Sequence, residues 1–335
     1  MYMFKYVSKR LGLMLLTFFI IFTMCFVLIK MLPIPSPQEG TDPAIYYARL
    51  EEKGWIRDPQ EGENGVWTYE TVPIFQQYGT YLSRIFTKGD FGTVTNMPDF
   101  PTNAPIWDIF VNCLPPTILI NIYSTLIGVP IGLGLGIIAA LRKNKWEDQV
   151  INVFIILLIS MPSIVLGLLI KYFLCFKLRW FPLSMSTSDA YFTWDVIKSM
   201  LPAVFALCLG SIAGYARYTR AELSEVLTSE FMLLARTKGL TKGQAIFRHA
   251  MRNSMVVIFP SILSEFIGVL SGSLIIENMF LVNGVGGLYL DAINSHDYDF
   301  FMLMSGFYTL ISLTAGIVID ISYGFIDPRI RMGAK

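Results

Sequence analysis

Charge is scarce in this sequence. Only 15% of the 335 residues are Asp, Glu, Lys or Arg, against roughly a quarter in water-soluble domains, so there are too few to clothe a soluble surface of this size. Histidine is scarcer still. His249 and His296 are the only two, and without clustered carboxylates beside them they offer no evident catalytic centre. Cys25, Cys113, Cys175 and Cys208 are scattered, at least two of them inside apolar segments, which argues against a disulfide framework and against a metal cluster. No G-x-x-x-x-G-K-[ST] run is present to cradle a nucleotide phosphate.

Apolar sequence is abundant instead, with 54% hydrophobic residues and a mean hydropathy of +0.54. About 20 apolar residues at 1.5 Å rise cross the hydrocarbon of a bilayer. By that criterion the chain has six candidate spans: Leu11 to Leu32, Pro116 to Leu141, Val150 to Phe173, Lys198 to Tyr215, Met255 to Ile276 and Phe300 to Tyr323. The fourth is the shortest. The first follows Lys5, Lys9 and Arg10 as a signal peptide would, but its apolar core is too long and no small-residue cleavage site follows, so it reads as a retained anchor. Six spans place both termini on one side. Sixteen Lys and Arg fall on the terminal side and at most ten on the other, which makes the termini cytoplasmic. The chain thus divides into residues 1–32, an extracytoplasmic region 33–113 and a membrane core 114–335. Acidic residues outnumber basic ones in the external region, and short helices are expected there over 44–53 and 74–86.

The longest cytoplasmic loop, 216–253, contains the stretch SEFMLLARTKGLTKGQAIFRHAMRN from Ser229 to Asn253. Ser229 before Glu230 marks a helix start, and Arg236, Lys238 and Gly239 suit a basic last turn and a glycine stop. Thr241 and Gln244 have capping-box spacing, so a second helix is expected to run on toward Asn253. Phe231, Leu234 and Ala235 recur at i, i+3, i+4 and form an apolar stripe on the first helix. Two readings fit: an amphipathic element on the membrane surface, or a helix docked in the groove of a cytoplasmic partner.

Ala235-Arg-Thr-Lys-Gly239, followed by Arg248-His-Ala-Met-Arg-Asn253, resembles the cytoplasmic loop of ABC importer permeases of the dipeptide, oligopeptide and nickel branch. Gly89-Asp-Phe-Gly-Thr93, Leu114-Pro-Pro-Thr117, Glu277-Asn-Met-Phe280, Gly284-Val-Gly-Gly287 and Asp327-Pro-Arg-Ile-Arg331 resemble that family's first permease subunit in order and spacing. The resemblance implies an all-α integral membrane protein with six transmembrane helices in the type I importer fold, carrying an external loop region between helices 1 and 2. It also implies a coupling helix seated in an ATPase subunit, to which Phe231, Leu234, Ala235, Arg236, Lys238 and Gly239 are assigned. The implied partners are a second homologous permease subunit, two cytoplasmic ABC ATPases, an extracytoplasmic substrate-binding protein and membrane lipid, with no nucleic acid. No cofactor is expected on this chain, since ATP and Mg²⁺ are used by the ATPases. One departure stands out: the family's loop pattern opens Glu-Ala-Ala where this chain has Leu233, Leu234 and Ala235. That leaves the contact to apolar surface more than to a glutamate.

Other positions follow from the residues themselves. A carboxylate inside a span must face a wet cavity or a partner. Glu265, with Ser264 and Ser271, therefore either lines the substrate path or forms an ion pair at a subunit interface. Arg217, Arg220 and the other loop basic residues are read as pairing with a partner or with lipid phosphate, and Pro162 and Pro202 as kink or start positions. The segment Glu277 to Asp299 carries four acidic and no basic residues. Such a loop suits a re-entrant or surface element near the external mouth, and the resemblance implies that this surface, with Glu277, Gly284, Gly286 and Asp291, receives the substrate-binding protein, the alternative being a merely solvated loop. Nickel-chelate or other small-solute import, and a proton-coupled secondary carrier using Glu265, remain the competing functions.

Overall fold

The computed structural model describes residues 2–37, 41–62, 65–97, 99–186 and 190–326. The motif Asp327 to Arg331 lies outside the described residues. In chain order the elements are α1 (Tyr2–Lys30), α2 (Pro43–Glu52), β1 (Ile56–Glu61), β2 (Trp67–Thr71), α3 (Ile74–Lys88), α4 (Ile106–Leu141), α5 (Trp146–Ser160) and α6 (Ser163–Ile170), the last continuing as a π-helical stretch Lys171–Lys177. There follow α7 (Trp194–Leu227), α8 (Glu230–Thr237), α9 (Lys242–Ala245), a π turn Ile246–Ala250, α10 (Met251–Gly268) with a 3₁₀ turn Val269–Ser271, α11 (Leu274–Met279), α12 (Val285–Asn294) and α13 (Tyr298–Ile326). Among the described residues, five helices are long and apolar enough to cross a membrane, and α5 with α6 makes a sixth candidate bent by 102°.

Three spans differ from the sequence expectation, each for a local reason. The third is broken because Met161, which precedes Pro162, is extended (φ −89°, ψ 129°), the conformation that a following proline ring enforces. The fourth is 34 residues long. An apolar-run criterion stops at Tyr215, ahead of Arg217, yet Ala213, Ala216, Thr219 and Leu223 keep one face buried and the helix continues behind them. The fifth starts earlier and ends sooner than expected. It ends where Gly272 adopts φ +68°, a region that favours glycine because it lacks Cβ.

The chain divides into two compact units, residues 1–113 with 288–310, and residues 114–287 with 311–335. The stretch 288–310, placed by sequence in the membrane core, thus groups with the first 113 residues. In the first unit Asp42 caps α2, accepting the Ala44 N–H at 2.9 Å, and Gly89 (φ +64°) stops α3. The β1–β2 hairpin is an addition to the expected all-helical chain. Strand β1 carries Pro59 and three charged residues, so it shows no apolar alternation, and its pairing is irregular between Arg57 and Gln60. Tyr46, Leu50, Trp55, Ile56 and Tyr298 form its core. Beside them lies a buried ion pair, Lys53 to Asp299 at 3.0 Å. Asp297 accepts the N–H groups of Thr95 (2.6 Å) and Asn96 (3.1 Å); burial holds its carboxyl above the usual range, with Lys53 opposing the shift. The motif Gly89 to Thr93 serves this core: Gly92 lies against Asp299 at φ +105°, and the Thr93 carbonyl accepts from Lys53 at 2.8 Å.

In the second unit α4 and α7 approach closely along a stripe of Gly128, Gly132 and Gly136, one every helical turn, as small residues allow in membrane helices. A Cβ on Gly136 would stand 2.6 Å from the Thr219 Cβ and 2.7 Å from the Ala216 carbonyl, whereas Gly134 faces open space. Gly136→Ala is therefore expected to cost about 1–3 kcal/mol through overpacking. A lower thermal unfolding midpoint in detergent checks this, with Gly134→Ala, which fills open space, unchanged or raised.

Candidate functional site

The loop expected to couple is a helix, a glycine turn and a second helix. Ser229 is the first of its determinants, in extended conformation at the start of α8. Its hydroxyl donates back to the Val226 carbonyl at 2.6 Å instead of capping the new helix. Gly239 turns the chain at φ +88°. Thr241 and Gln244 then form a complete capping box, the Thr241 hydroxyl accepting the Gln244 N–H at 3.4 Å and the Gln244 side chain accepting the Thr241 N–H at 3.1 Å. The second helix does not stop near Asn253. From α9 it passes through the π turn into α10, so a single rod runs from the Thr241 cap into the fifth span.

The apolar stripe of α8 is split between two faces. Met232 and Ala235 are buried against Ala140, Leu223, Ala245 and Ala250, while Phe231, Leu233 and Leu234 are 39%, 61% and 55% exposed. The two pairs, 231 with 234 and 232 with 235, are offset by one residue, about 100° around the helix. Ala235 thus belongs to the seat of α8, and Arg236, Lys238 and Gly239 are exposed beside it. Arg220 is not a lipid- or partner-facing residue. It binds Asp148 through two hydrogen bonds of 2.6 and 2.9 Å, joining α5 to α7. Sequence reasoning missed this pair because the two residues are 72 positions apart.

A second place of interest is a concavity of about 750 Å³ between α7, α10 and α13, onto which Ser211, Tyr215, Tyr218, Ser264, Glu265 and Tyr323 face. The Glu265 carboxylate accepts from the Ser211 hydroxyl at 2.6 Å. Tyr215 and Tyr218 donate to the carbonyls of Ser261 (3.0 Å) and Val257 (3.3 Å). Glu265 is close to the end of α10 rather than mid-helix, because the rod breaks at Gly272. Ser271 sits in the terminal 3₁₀ turn and does not line the concavity.

Glu277 and the glycines after it are not surface residues. Glu277 is fully buried and accepts from the Ser273 N–H at 2.9 Å, the Gly286 N–H at 2.9 Å and the Thr117 hydroxyl at 3.0 Å. Thr117 in turn accepts the Val285 N–H at 2.9 Å. A side chain on Gly284 would collide with Glu277 and Thr117, and one on Gly286 would stand 3.0 Å from the same carboxylate. The motifs around Thr117, Glu277 and Gly284 are thus one buried knot that ties the broken fifth span to α4. Of the four residues assigned to a receptor face, Asp291 alone is partly exposed; burial, and then Asp99 nearby, hold its carboxyl above the usual range.

Residues 132–332 match the family described as binding-protein-dependent transport system inner membrane component. Over 333 residues the chain is 32% identical to the dipeptide transport system permease protein DppB of Lactococcus lactis, covering 98% of this chain and 100% of that protein. It is also 32% identical to DppB of Bacillus subtilis, with 99% of each covered. The oligopeptide transport system permease protein OppB of Escherichia coli is 28% identical, with 98% of this chain and 100% of that protein covered. A solved structure titled an amino acid ABC transporter with histidines matches at TM-score 0.51 and 21% identity, over 65% of this chain and 94% of that one; this supports the fold alone.

Glu277→Ala leaves the Ser273 and Gly286 amides without their acceptor, at about 1–3 kcal/mol for each orphaned group. A marked drop in the thermal midpoint of the purified chain is the expected result. Gly284→Ala should reproduce it by collision, and Asp291→Asn should leave the midpoint unchanged.

Proposed function

The chain belongs to the family of binding-protein-dependent transport system inner membrane components, and on that premise we propose that it is the first permease subunit of an ATP-driven importer of dipeptides or oligopeptides. The observation that carries the substrate class is collinearity over 98–99% of the chain with dipeptide permeases at 32% identity. The oligopeptide permease similarity extends equally far. In this reading the chain moves substrate and hydrolyses nothing itself. It works with a second permease subunit, two ABC ATPases that use ATP and Mg²⁺, and an extracytoplasmic substrate-binding protein. The excess of Lys and Arg in the termini and in loops 142–149 and 216–253 supports cytoplasmic termini.

The coupling reading rests on the shape of the α8 to α10 segment. Phe231, Leu233 and Leu234 present an exposed apolar face on a short helix, the form that fits a groove in a partner. Each side chain withdrawn from water there contributes about 1.5–3 kcal/mol. Met232 and Ala235 fix α8 onto α7 and onto the rod that becomes α10. When two ATPases close on nucleotide, a helix held in each groove is carried with it, and rigid packing converts that displacement into movement of the spans. Arg236 and Lys238 orient the helix at the surface. Asp291, on α12, supplies an acidic, part-exposed contact for the substrate-binding protein, while Glu277, Gly284 and Gly286 serve the buried knot with Thr117.

Replacing Phe231 and Leu234 together by Asp introduces two charges on the exposed face and leaves the seat intact. The ATPases are then expected not to co-purify with the permease, and peptide uptake to fall at least tenfold, with the thermal midpoint of the isolated chain unchanged. Persistence of both association and uptake contradicts the assignment.

A further inference from the structure

We propose that the concavity between α7, α10 and α13 is a binding site for a primary ammonium group of the transported solute, with Glu265 as its counter-charge. This rests on the importer reading above and adds to it the part of the solute that the membrane subunit recognises. Among the described residues lining the concavity, Glu265 is the only charged one. A carboxylate within spanning helices is costly unless it meets water or a cation, and among the described residues no Lys or Arg lines the concavity to supply one. The Ser211 hydroxyl donates to it at 2.6 Å. A carboxylate offers about four acceptor positions, so one hydroxyl leaves room for the three donors of an ammonium.

The surroundings suit that ligand. The concavity is an open groove of about 750 Å³, in the range of small-molecule sites, roughly 300–1,000 Å³. The hydroxyls of Tyr215 and Tyr218 are turned back to α10 carbonyls, which fixes these two residues beside the carboxylate. Aromatic faces attract cations. A side chain at Gly210 or Gly214 on α7 would meet open space among the described residues, so the wall opposite the α4 contact is open rather than packed.

The test uses the assembled transporter in proteoliposomes, energised with ATP and supplied with radiolabelled trialanine. Glu265→Gln is expected to lower uptake about tenfold, with Glu265→Asp retaining most of it. Glu265→Cys, in a chain whose four native cysteines are replaced by serine, is expected to be inactive and to react with water-borne methanethiosulfonates. The anionic sulfonatoethyl reagent should then restore uptake and the cationic trimethylammonium-ethyl reagent should not. Uptake unchanged when Na⁺ is exchanged for K⁺ or choline separates a solute ammonium from a coupled inorganic cation. The proposal is overturned if position 265 stays unreactive throughout the ATP cycle, which would place it against a partner side chain. It is equally overturned if both reagents act alike, if Gln transports as Glu does, or if uptake follows one inorganic cation. A wild-type complex that takes up no peptide would overturn the transport reading instead, while the labelling of position 265, which needs no transport, still decides whether the site is wet.

Discussion

Hydrocarbon offers no partner for a backbone N–H or C=O, so a spanning chain must satisfy these groups internally wherever it runs. That constraint separates the structure into unbroken rods and supported breaks. Where the fifth span stops at Gly272, the amide of Ser273 would be orphaned, and so would the amides of the glycine-rich return. Glu277 accepts from Ser273 and Gly286, and Thr117 accepts from Val285. A break that is fully bonded can be rigid, and this one gives the loop toward α12 a fixed root.

The unbroken parts have the opposite task. Helix α7, with 34 residues, and the rod from Thr241 to Gly268 both extend past the apolar stretch into the polar loop region. Helix α8 is packed against both through Met232 and Ala235. The bidentate Arg220–Asp148 pair joins α5 to the same end of α7, and the glycine stripe of α4 closes on α7 beside it. A force applied to the exposed face of α8 is therefore passed to α7 and α10 without an intervening flexible link. The Glu265 concavity lies between those two helices and α13, where such movement would change its shape.

Much of this was legible in the residues. Long apolar runs marked where the spans lie, and Thr241 with Gln244 marked the start of the second loop helix, because both signals are local. What stayed hidden depended on distant partners. The continuation of α7 past Arg217 follows from burial of Ala216, Thr219 and Leu223, which a hydropathy window cannot see. The hairpin strand Ile56–Glu61 has no alternating pattern, since Pro59 and its charged neighbours occupy it. Glu277 sits in an acidic, glycine-rich segment and so reads as surface. Only its contact with Thr117, 160 residues away, makes it core. The stripe on α8 was correctly apolar, but which residues turn inward depends on what packs beneath them.

The central claim is that the rod running from α9 into α10 transmits ATPase movement to the membrane. Arg248, His249 and Asn253 are exposed on that rod, so changing all three to Gly loosens it by roughly 1 kcal/mol per position without altering the buried seam, and changing them to Ala removes the same side chains while keeping the helix stiff. The deciding measurement is the amount of peptide taken up per ATP hydrolysed by the assembled transporter. The account predicts that the glycine variant hydrolyses ATP but delivers several-fold less peptide per ATP than the alanine variant. Equal ratios in the two variants would contradict it.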